Sequence, residues 1–321
     1  EDQNLDCFKI LAPAWGANPG IWIEGENGKL AYGSVQPEMK EALQAYAQWY
    51  KEGIIDPEFT TKDLEKMLQG EISSSVGVSP YYQYWGYDPG PNVVQNLGAD
   101  AIFEPYEIPS ANGGEVKASV TFANYGYIVV SKGCKNPEAV LKLLNFYAHV
   151  MDEGDEEDAD FINELFGNAY TNIPYALRVI NPNTDYNQFV KVSGALEKGL
   201  DEDPAALGKD GVKYSNSVDF IKEGASTGVG DYLQQGGPKA AYRISKEIID
   251  NEQYIKDAMW GPATETLLSA GSTLDDILTE GFTKIIVGEE SIDYFDTLVD
   301  NWAKAGGTKA TEEINETYGN N

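Results

Sequence analysis

Apolar side chains near the C-terminal end recur every three to four positions, which is the spacing that gives a helix one buried face. One such run covers 272–287 and stops at Gly288, and the next covers 291–305 and stops at Gly306-Gly307. A third run starts near Thr308. Because glycine commonly ends helices, the pattern predicts three consecutive helices.

The same spacing occurs in the first quarter of the chain. Met39, Leu43, Tyr46 and Tyr50 lie three or four positions apart, and Pro37 suits the first turn of a helix. A helix is therefore predicted between Pro37 and the glycine that follows the run. Two further helices are predicted over 61–69 and after Asn136-Pro137.

Short apolar runs bounded by glycine, proline or asparagine predict strands. Residues 7–23 predict a strand followed by a loop, and Asn27-Gly28 predicts a turn between two short strands. Further strands are predicted over 71–78, 101–108 and 117–131. Strands that alternate with long helices are typical of α/β lobes, and 321 residues suffice for about two domains.

The net charge of the chain excludes one class of function. The chain has 52 acidic and 23 basic residues and a net charge of −29, so a nucleic-acid partner held by phosphate contacts is excluded. Hydrophobic residues make up 42% of the chain, as expected of a folded protein. No run reaches the roughly 18 apolar residues that a membrane-spanning helix needs.

The chain lacks the residue patterns that zinc sites, histidine-based catalytic triads and calcium loops require. His149 is the single histidine, and Cys7 and Cys134 form no CxxC pair, so neither a zinc site nor a histidine-based triad is expected. We interpret the cysteines as isolated, although one bridge stays open. The segment 181–192 begins like a calcium loop but lacks its central glycine and final acid. No metal and no cofactor is therefore predicted.

Aromatic residues are the positive signal. The chain has 6 Trp, 20 Tyr and 11 Phe, and the first two types combine a flat ring with a polar tip. A sugar ring offers C–H groups to such a face and hydroxyls to neighbouring amides and carboxylates. The candidates in loops rich in glycine and proline are Trp15, Trp22, Tyr81, Tyr82, Tyr84, Trp85 and Trp260. Each could instead lie in a core, to which helical spacing assigns Trp49 and Trp302.

The basic residues point to an uncharged ligand. Only Arg178 and Arg243 are arginines, and arginine is the residue best suited to bind carboxylate or phosphate groups with two hydrogen bonds. The sequence therefore favours neutral saccharides over acidic ones.

Five segments together resemble a known family. They are Tyr32-Gly-Ser-Val-Gln-Pro-Glu through Tyr50-Lys-Glu-Gly-Ile-Ile-Asp-Pro-Glu-Phe59, Gly126-Tyr-Ile-Val-Val-Ser-Lys-Gly-Cys-Lys-Asn-Pro-Glu-Ala139, Glu280-Gly-Phe-Thr-Lys-Ile-Ile-Val-Gly288, Ile292-Asp-Tyr-Phe-Asp-Thr-Leu-Val-Asp-Asn-Trp302 and Glu313-Ile-Asn-Glu-Thr-Tyr318. With them the chain resembles the extracellular solute-binding lipoproteins of bacterial ABC importers, in the family 1, sugar-type group.

This resemblance implies an α/β, type 2 periplasmic-binding-protein-like bilobal fold whose lobes close on a ligand. Members of the family begin with a lipidated cysteine and most of an N-terminal lobe, so we expect this chain to hold mainly the C-terminal lobe. The expected division is 1–102 as the first part of that lobe, 103–151 as a segment returning to the N-terminal lobe, and 152–321 as the helical remainder.

The resemblance also places candidate ligand residues. Trp15 matches a stacking aromatic, Tyr81-Tyr82 match a paired-tryptophan motif, and Trp260 matches an aromatic at the mouth of the cleft. Glu265 ends a Pro-x-Thr-Glu pattern similar to a family motif. The predicted ligand-binding set is Trp15, Trp22, Tyr81, Tyr82, Trp85, Trp260 and Glu265.

The function expected from this reasoning is capture without catalysis. A monomeric, extracellular protein, attached to the membrane through a lipid anchor upstream of this chain, would bind an oligosaccharide and deliver it to the transmembrane subunits of an ABC permease. Two alternatives stay open. One is a fragment of a carbohydrate-active enzyme with paired carboxylates. The other is a surface sugar-binding or sensing module without transport, because a fold alone does not fix a function.

Overall fold

The computed structural model describes residues 5–25, 28–80, 83–101, 103–122, 128–149 and 183–319. The chain forms two compact units. Unit 1 comprises Glu1–Tyr82, Glu107–Ala123 and Glu247–Asn321, and unit 2 comprises Gln83–Tyr106 and Asn124–Lys246. The sequence-based division at residues 102 and 151 stays a prediction.

The helices are α1 (Asp6–Leu11), α2 (Pro37–Lys51), α3 (Leu64–Ile72), α4 (Gly90–Leu97), α5 (Glu138–Ala148), α6 (Thr184–Lys198), α7 (Gly211–Glu223), α8 (Val229–Asp231), α9 (Ala241–Asp250), α10 (Glu265–Val287), α11 (Tyr294–Trp302) and α12 (Thr308–Tyr318). The strands are β1 (Trp22–Glu24), β2 (Leu30–Tyr32), β3 (Ala118–Val120) and β4 (Tyr254–Lys256).

The core of unit 1 lies between α2 and the three C-terminal helices. Their apolar faces contribute Met39, Leu43, Tyr46, Leu274, Phe282, Ile285, Leu298 and Ile314 to one buried cluster. The rings of Phe282 and Phe295 stack with their centres 6.5 Å apart. The predicted helices at 37–52 and at the C-terminal end are confirmed, although α10 begins at Glu265, earlier than the apolar spacing indicated.

Strands in unit 1 are short. β1 and β2 pair antiparallel, with Trp22 opposite Tyr32, which confirms the two strands predicted on either side of the Asn27-Gly28 turn. β3 and β4 pair parallel, with Ala118 opposite Tyr254. Parallel pairing of segments this distant in sequence needs a long crossover, which local patterns cannot reveal.

Unit 2 is held by a buried polar network as well as by apolar contacts. The carboxylate of Asp231 accepts hydrogen bonds from the Tyr87 hydroxyl, from Lys213 Nζ at 3.1 Å and from Asn216 Nδ2 at 2.7 Å. A buried charge persists at low cost only when it is paired and hydrogen-bonded in this way. The network therefore ties the loop before α4 to α7 and α8.

Several predicted strands are wrong. Residues 7–23 form α1 and a 3-10 turn, Ala12–Trp15, before β1, because the apolar run is too short for its period to separate helix from strand. Over 71–78, α3 continues to Ile72, and the backbone then bends at Ser74 with a φ of 61°. Of the strands predicted over 101–108 and 117–131, the described residues form only β3; residues 102 and 123–127 lie outside them.

Both cysteines are free thiols, as their isolated positions indicated. Burial, with smaller contributions from the charges of Asp6 and Glu71, raises the pKa of the Cys7 thiol to about 11. None of the helices in the described ranges is long and apolar enough to cross a membrane.

Candidate functional site

Two distant segments of unit 1 contact each other through short polar side chains and backbone groups. The backbone N–H of Ala111 donates to the carbonyl of Ala14 at 2.8 Å. Ser119 Oγ donates to Oδ1 of the buried Asn18 at 3.0 Å. The loop that carries Trp15 is thereby held beside the segment that leads into β3.

A third segment joins them at the end of β4. The backbone N–H of Asp257 donates to the carbonyl of Val120 at 2.8 Å, and the N–H of Ala258 donates to the carbonyl of Trp22 at 2.8 Å. The turn after β4 thus lies between β1 and the end of β3, and three loops converge on one surface of unit 1.

Trp260 lies on this turn and is 50% exposed. Its ring meets Phe122 edge to face, with 5.1 Å between the ring centres and 65° between the planes. An indole fixed on one side and open on the other is the arrangement expected of a stacking platform. We call Trp260 and Phe122, with the turn 257–262, the aromatic platform.

The Asp257 carboxylate is buried at the start of this turn. Its Oδ1 accepts the backbone N–H groups of Trp22 and Met259, each at 3.0 Å. Burial raises the pKa of Asp257 above its usual value, and the two backbone donors partly offset that effect. The buried acid therefore orders this turn at an electrostatic cost.

Trp15 and Trp22 are packed more deeply than their loop positions suggested. Trp15 is half-buried and meets the rings of Tyr46 at 5.4 Å and Trp49 at 5.7 Å. Trp22 is 3% exposed and packs on Tyr32 at 5.1 Å. Trp22 is a core residue here, which leaves its ring almost no surface for a ligand.

The two tryptophans assigned to the core do pack there. Trp302 is buried and stacks on Tyr32, with 5.7 Å between ring centres and 9° between planes. Trp49 is partly buried against the same cluster. Helical spacing was therefore a sound guide to both.

The other aromatic candidates are Trp85, Tyr81, Tyr82 and Tyr84. Trp85 belongs to unit 2, is 8% exposed and packs on Phe103 at 4.8 Å between ring centres. Tyr81 and Tyr82 lie outside the described residues, and the side chain of Tyr84 is not described. Of the predicted aromatics whose side chains are described, Trp260 is thus the one with a largely open ring.

Glu265 is the first residue of α10 and is exposed. Next to it, Thr266 donates from its backbone N–H at 2.9 Å and from its hydroxyl at 2.7 Å to the carboxylate of Glu313. These bonds hold the pKa of Glu313 down at about 2. The first of these bonds satisfies one of the backbone N–H groups that the start of a helix leaves without a partner in the helix, so Glu313 caps this end of α10.

Sequence reasoning missed Phe122 and Asp257. Phe122 was placed in a predicted strand and Asp257 was one of 52 acidic residues, so neither stood out. Their roles depend on the parallel pairing of β3 with β4, which no local pattern predicts. The aromatic side chain of Phe122, two positions after Val120, was the available signal for this residue.

No metal site is evident within the described ranges, where no group of three or more histidine, cysteine, aspartate or glutamate side chains could hold an ion. The segment that partly resembles a calcium loop is helical from Thr184 onward. Residues 181 and 182 lie outside the description.

Comparison with known proteins gives the fold and one relative. No family model matches the chain. It is 24% identical to "Lipoprotein LipO" of Bacillus subtilis (strain 168), an alignment of 353 positions that covers 98% of this chain and 60% of the relative. It superposes on the alginate-binding protein AlgQ2, solved without calcium ion, with a TM-score of 0.58 and 14% identity, over 99% of this chain and 62% of that one.

The chain therefore spans about three fifths of the length of either protein. Neither name describes an enzyme, which is consistent with the expectation of binding without catalysis. The chain has the fold of the periplasmic solute-binding proteins, and in sequence it is related to a bacterial lipoprotein.

Proposed function

We propose that this chain is the ligand-capturing part of an ABC importer, that it holds an oligosaccharide without altering it, and that it delivers the sugar to transmembrane permease subunits. The observation that carries the proposal is the half-open ring of Trp260, backed by Phe122 where three loops converge. The solute-binding fold supports the same function. By analogy with the lipoprotein relative, the protein is anchored at the cell surface by a lipid upstream of this chain.

The proposed ligand is a neutral saccharide. The name of the structural neighbour refers to alginate, an acidic polysaccharide. In this chain the guanidinium of Arg243 already faces Glu197 at 3.6 Å and lies 5.4 Å from the ring centre of Phe189. Arg178, the other arginine, lies outside the described residues. An arginine committed to its own unit is a poor partner for the carboxylates of an acidic sugar.

Stacking supplies only part of the affinity. An aromatic contact contributes about 0.5–1.5 kcal/mol, whereas micromolar binding requires about 8 kcal/mol. Hydrogen bonds to the sugar hydroxyls and closure of a second lobe must contribute the difference. We therefore expect a longer chain that includes the remaining length of the relatives to bind more tightly than this one.

This proposal includes the lobe assignment expected from the sequence. In that assignment one lobe holds 1–102 and 152–321, and the segment 103–151 returns to the other lobe. The support for the assignment is an apolar surface on 128–146. Val129 is 87% exposed and Leu141 is 65% exposed. Ile128, Val130, Leu143 and Phe146 are exposed as well. Large exposed apolar patches on soluble proteins usually mark a contact surface, and we infer that Ile128, Val129, Val130, Leu141 and Leu143 belong to one.

A thermal-shift screen of neutral and acidic oligosaccharides on the longer chain tests the function. A ligand held at about 100 times its dissociation constant stabilises the folded state by about 2.7 kcal/mol. We expect stabilisation by a neutral sugar and its reduction in a Trp260→Ala variant. The matched control is Tyr106→Ala, which removes an exposed ring from unit 2. Stabilisation by acidic sugars alone would contradict the proposed ligand class, and turnover of any sugar would contradict capture without catalysis.

A further inference from the structure

The turn that carries Trp260 is fixed by backbone hydrogen bonds and by two side chains, Asp257 at its start and Tyr318, whose hydroxyl donates to the carbonyl of Pro262 at 2.6 Å. Asp257 Oδ1 accepts two backbone N–H groups, each at 3.0 Å. One belongs to Trp22, the first residue of β1, and the other belongs to Met259, two residues further along the turn. The same oxygen thus links the turn to β1 and also sets the curvature of the turn.

Backbone bonds position Asp257 itself. Its N–H donates to the carbonyl of Val120, and the next N–H, of Ala258, donates to the carbonyl of Trp22 at 2.8 Å. In a continuous ladder the N–H of Trp22 would meet another backbone carbonyl. Here the Asp257 carboxylate takes that place, which frees the chain to turn away from the strand immediately after β4.

Trp260 is the exposed end of this turn. The backbone N–H of Trp260 donates to the carbonyl of Ala258 at 3.0 Å, and Ala258 directly follows Asp257 in the turn. Beyond the contact with Phe122, half of the side chain is open, and the neighbouring turn must fix the direction of the ring. A ring that stacks on a ligand needs such support, because alignment lost in the free protein lowers affinity.

Burying the Asp257 carboxylate in this turn costs free energy. Asp257 is buried, and burial disfavours its charged form. The two accepted N–H bonds are the local gain that offsets this cost of burial.

We propose that Asp257 is the positioning residue of the aromatic platform: its carboxylate fixes the turn that orients Trp260 toward a bound ligand. This inference rests on the proposed function for its ligand, but the orientation of Trp260 can be measured without any ligand.

The test uses fluorine NMR of the protein labelled with 5-fluorotryptophan. The chain has six tryptophans, and a Trp260→Phe variant assigns the resonance of interest. We expect a single narrow Trp260 line in the wild type. In Asp257→Ala that line should shift and broaden, with a smaller change for Trp22, whose N–H loses its acceptor. The lines of Trp49, Trp85 and Trp302 should stay in place.

Two further variants separate positioning from general support of the fold. Asp257→Asn keeps one acceptor oxygen for both N–H groups and removes the buried charge, so it should restore the Trp260 line even if Asp257→Ala folds poorly. Asp63→Ala removes another carboxylate that accepts a backbone N–H, that of Lys66 at 2.9 Å, at the start of α3. We expect this control to lower stability without moving the Trp260 line.

An unchanged Trp260 line in folded Asp257→Ala would overturn the proposal. So would an Asp257→Asn protein in which all six lines change together, because that result means general loss of packing. With maltotriose, cellotriose and xylotriose as probes, Asp257→Ala should weaken binding about three- to tenfold, as expected for a lost aromatic contact. If none of the three binds the wild type, the proposed ligand class fails, while the NMR result still decides the role of Asp257.

Discussion

Glu313 caps the N-terminal end of α10 by bonding to Thr266, which lies 47 positions earlier in the sequence. Its carboxylate accepts the backbone N–H of Thr266 at 2.9 Å and the Thr266 hydroxyl at 2.7 Å, and Lys309 lies 3.6 Å away. A negative charge is favourable at this end of α10, where the helix dipole is positive. The bond pair also joins α12 to α10, next to the turn that carries Trp260.

This pair predicts a specific dependence of stability on pH. The pKa of Glu313 falls from 4.5 to about 2 in the folded protein. A lowered pKa stabilises the folded state above pH 4.5, and the contribution is lost as the pH falls from about 4.5 to about 2. Glu313→Gln should therefore be less stable near pH 6 and should lose less stability over that acid range, as measured by urea unfolding at several pH values.

Glu312→Gln is the matched control, because Glu312 is the exposed neighbour of Glu313 on the same helix. Its unfolding curves should follow the wild type throughout. Identical pH slopes for Glu313→Gln and the wild type would mean that the carboxylate does not supply this stability.

Tyr46 joins α2 to the first helix through a buried hydroxyl. The ring is fully buried, and its hydroxyl donates to the carbonyl of Phe8 at 2.8 Å. Tyr46→Phe removes this donor, while the Phe8 carbonyl still accepts the N–H of Ala12 at the end of α1. Loss of the one buried bond should lower the free energy of unfolding by about 0.5–1.5 kcal/mol. Tyr50→Phe loses a longer, exposed bond of 3.3 Å to Pro57 and should change stability much less. Equal losses in the two variants would be inconsistent with this account.

Gly230 supports the buried network of unit 2 by its lack of a side chain. A Cβ at this position would lie 2.3 Å from the ring of Tyr87, whose hydroxyl bonds to Asp231. Gly230→Ala should therefore displace the ring and cost about 1–3 kcal/mol, the usual range for overpacking.

The control is Gly271→Ala within α10, where a Cβ would meet no atom within 4 Å. Alanine is favoured over glycine by about 1 kcal/mol inside a helix, so this variant should be as stable as the wild type or more stable. Chemical unfolding of both variants measures the contrast. A Gly230→Ala protein that also gains stability would show that the space around Tyr87 is larger than the structure indicates.

The sequence predicted the helical parts of unit 1 well, because their cores follow from spacing alone. Met39, Leu43 and Tyr46 lie on one buried face of α2, as their intervals indicated. Long amphipathic runs carry enough repeats for the period to be unambiguous. The strand predicted at residue 7 had too few repeats, and α1 formed there instead.

The site could be predicted only in part. The sequence proposed Trp260 because it lies in a loop rich in glycine and proline, and its side chain is half-exposed; its role in binding stays a prediction. Trp22 was misjudged because its loop is short and β1 begins at that residue, so its ring turns into the core. Asp257 could not be found, since its role arises from hydrogen bonds to Trp22 and Met259 that exist only after β4 pairs with β3.

The central claim is that Trp260 grips a neutral oligosaccharide, and calorimetric titration tests it most directly. The sugar that stabilises the longer chain most in the screen is titrated into the wild type, Trp260→Ala and Tyr106→Ala. We predict a dissociation constant three- to tenfold larger for Trp260→Ala, a loss of about 0.7–1.4 kcal/mol, and an unchanged constant for Tyr106→Ala. Equal affinity of Trp260→Ala and the wild type, or no heat of binding from any neutral sugar, would contradict the account.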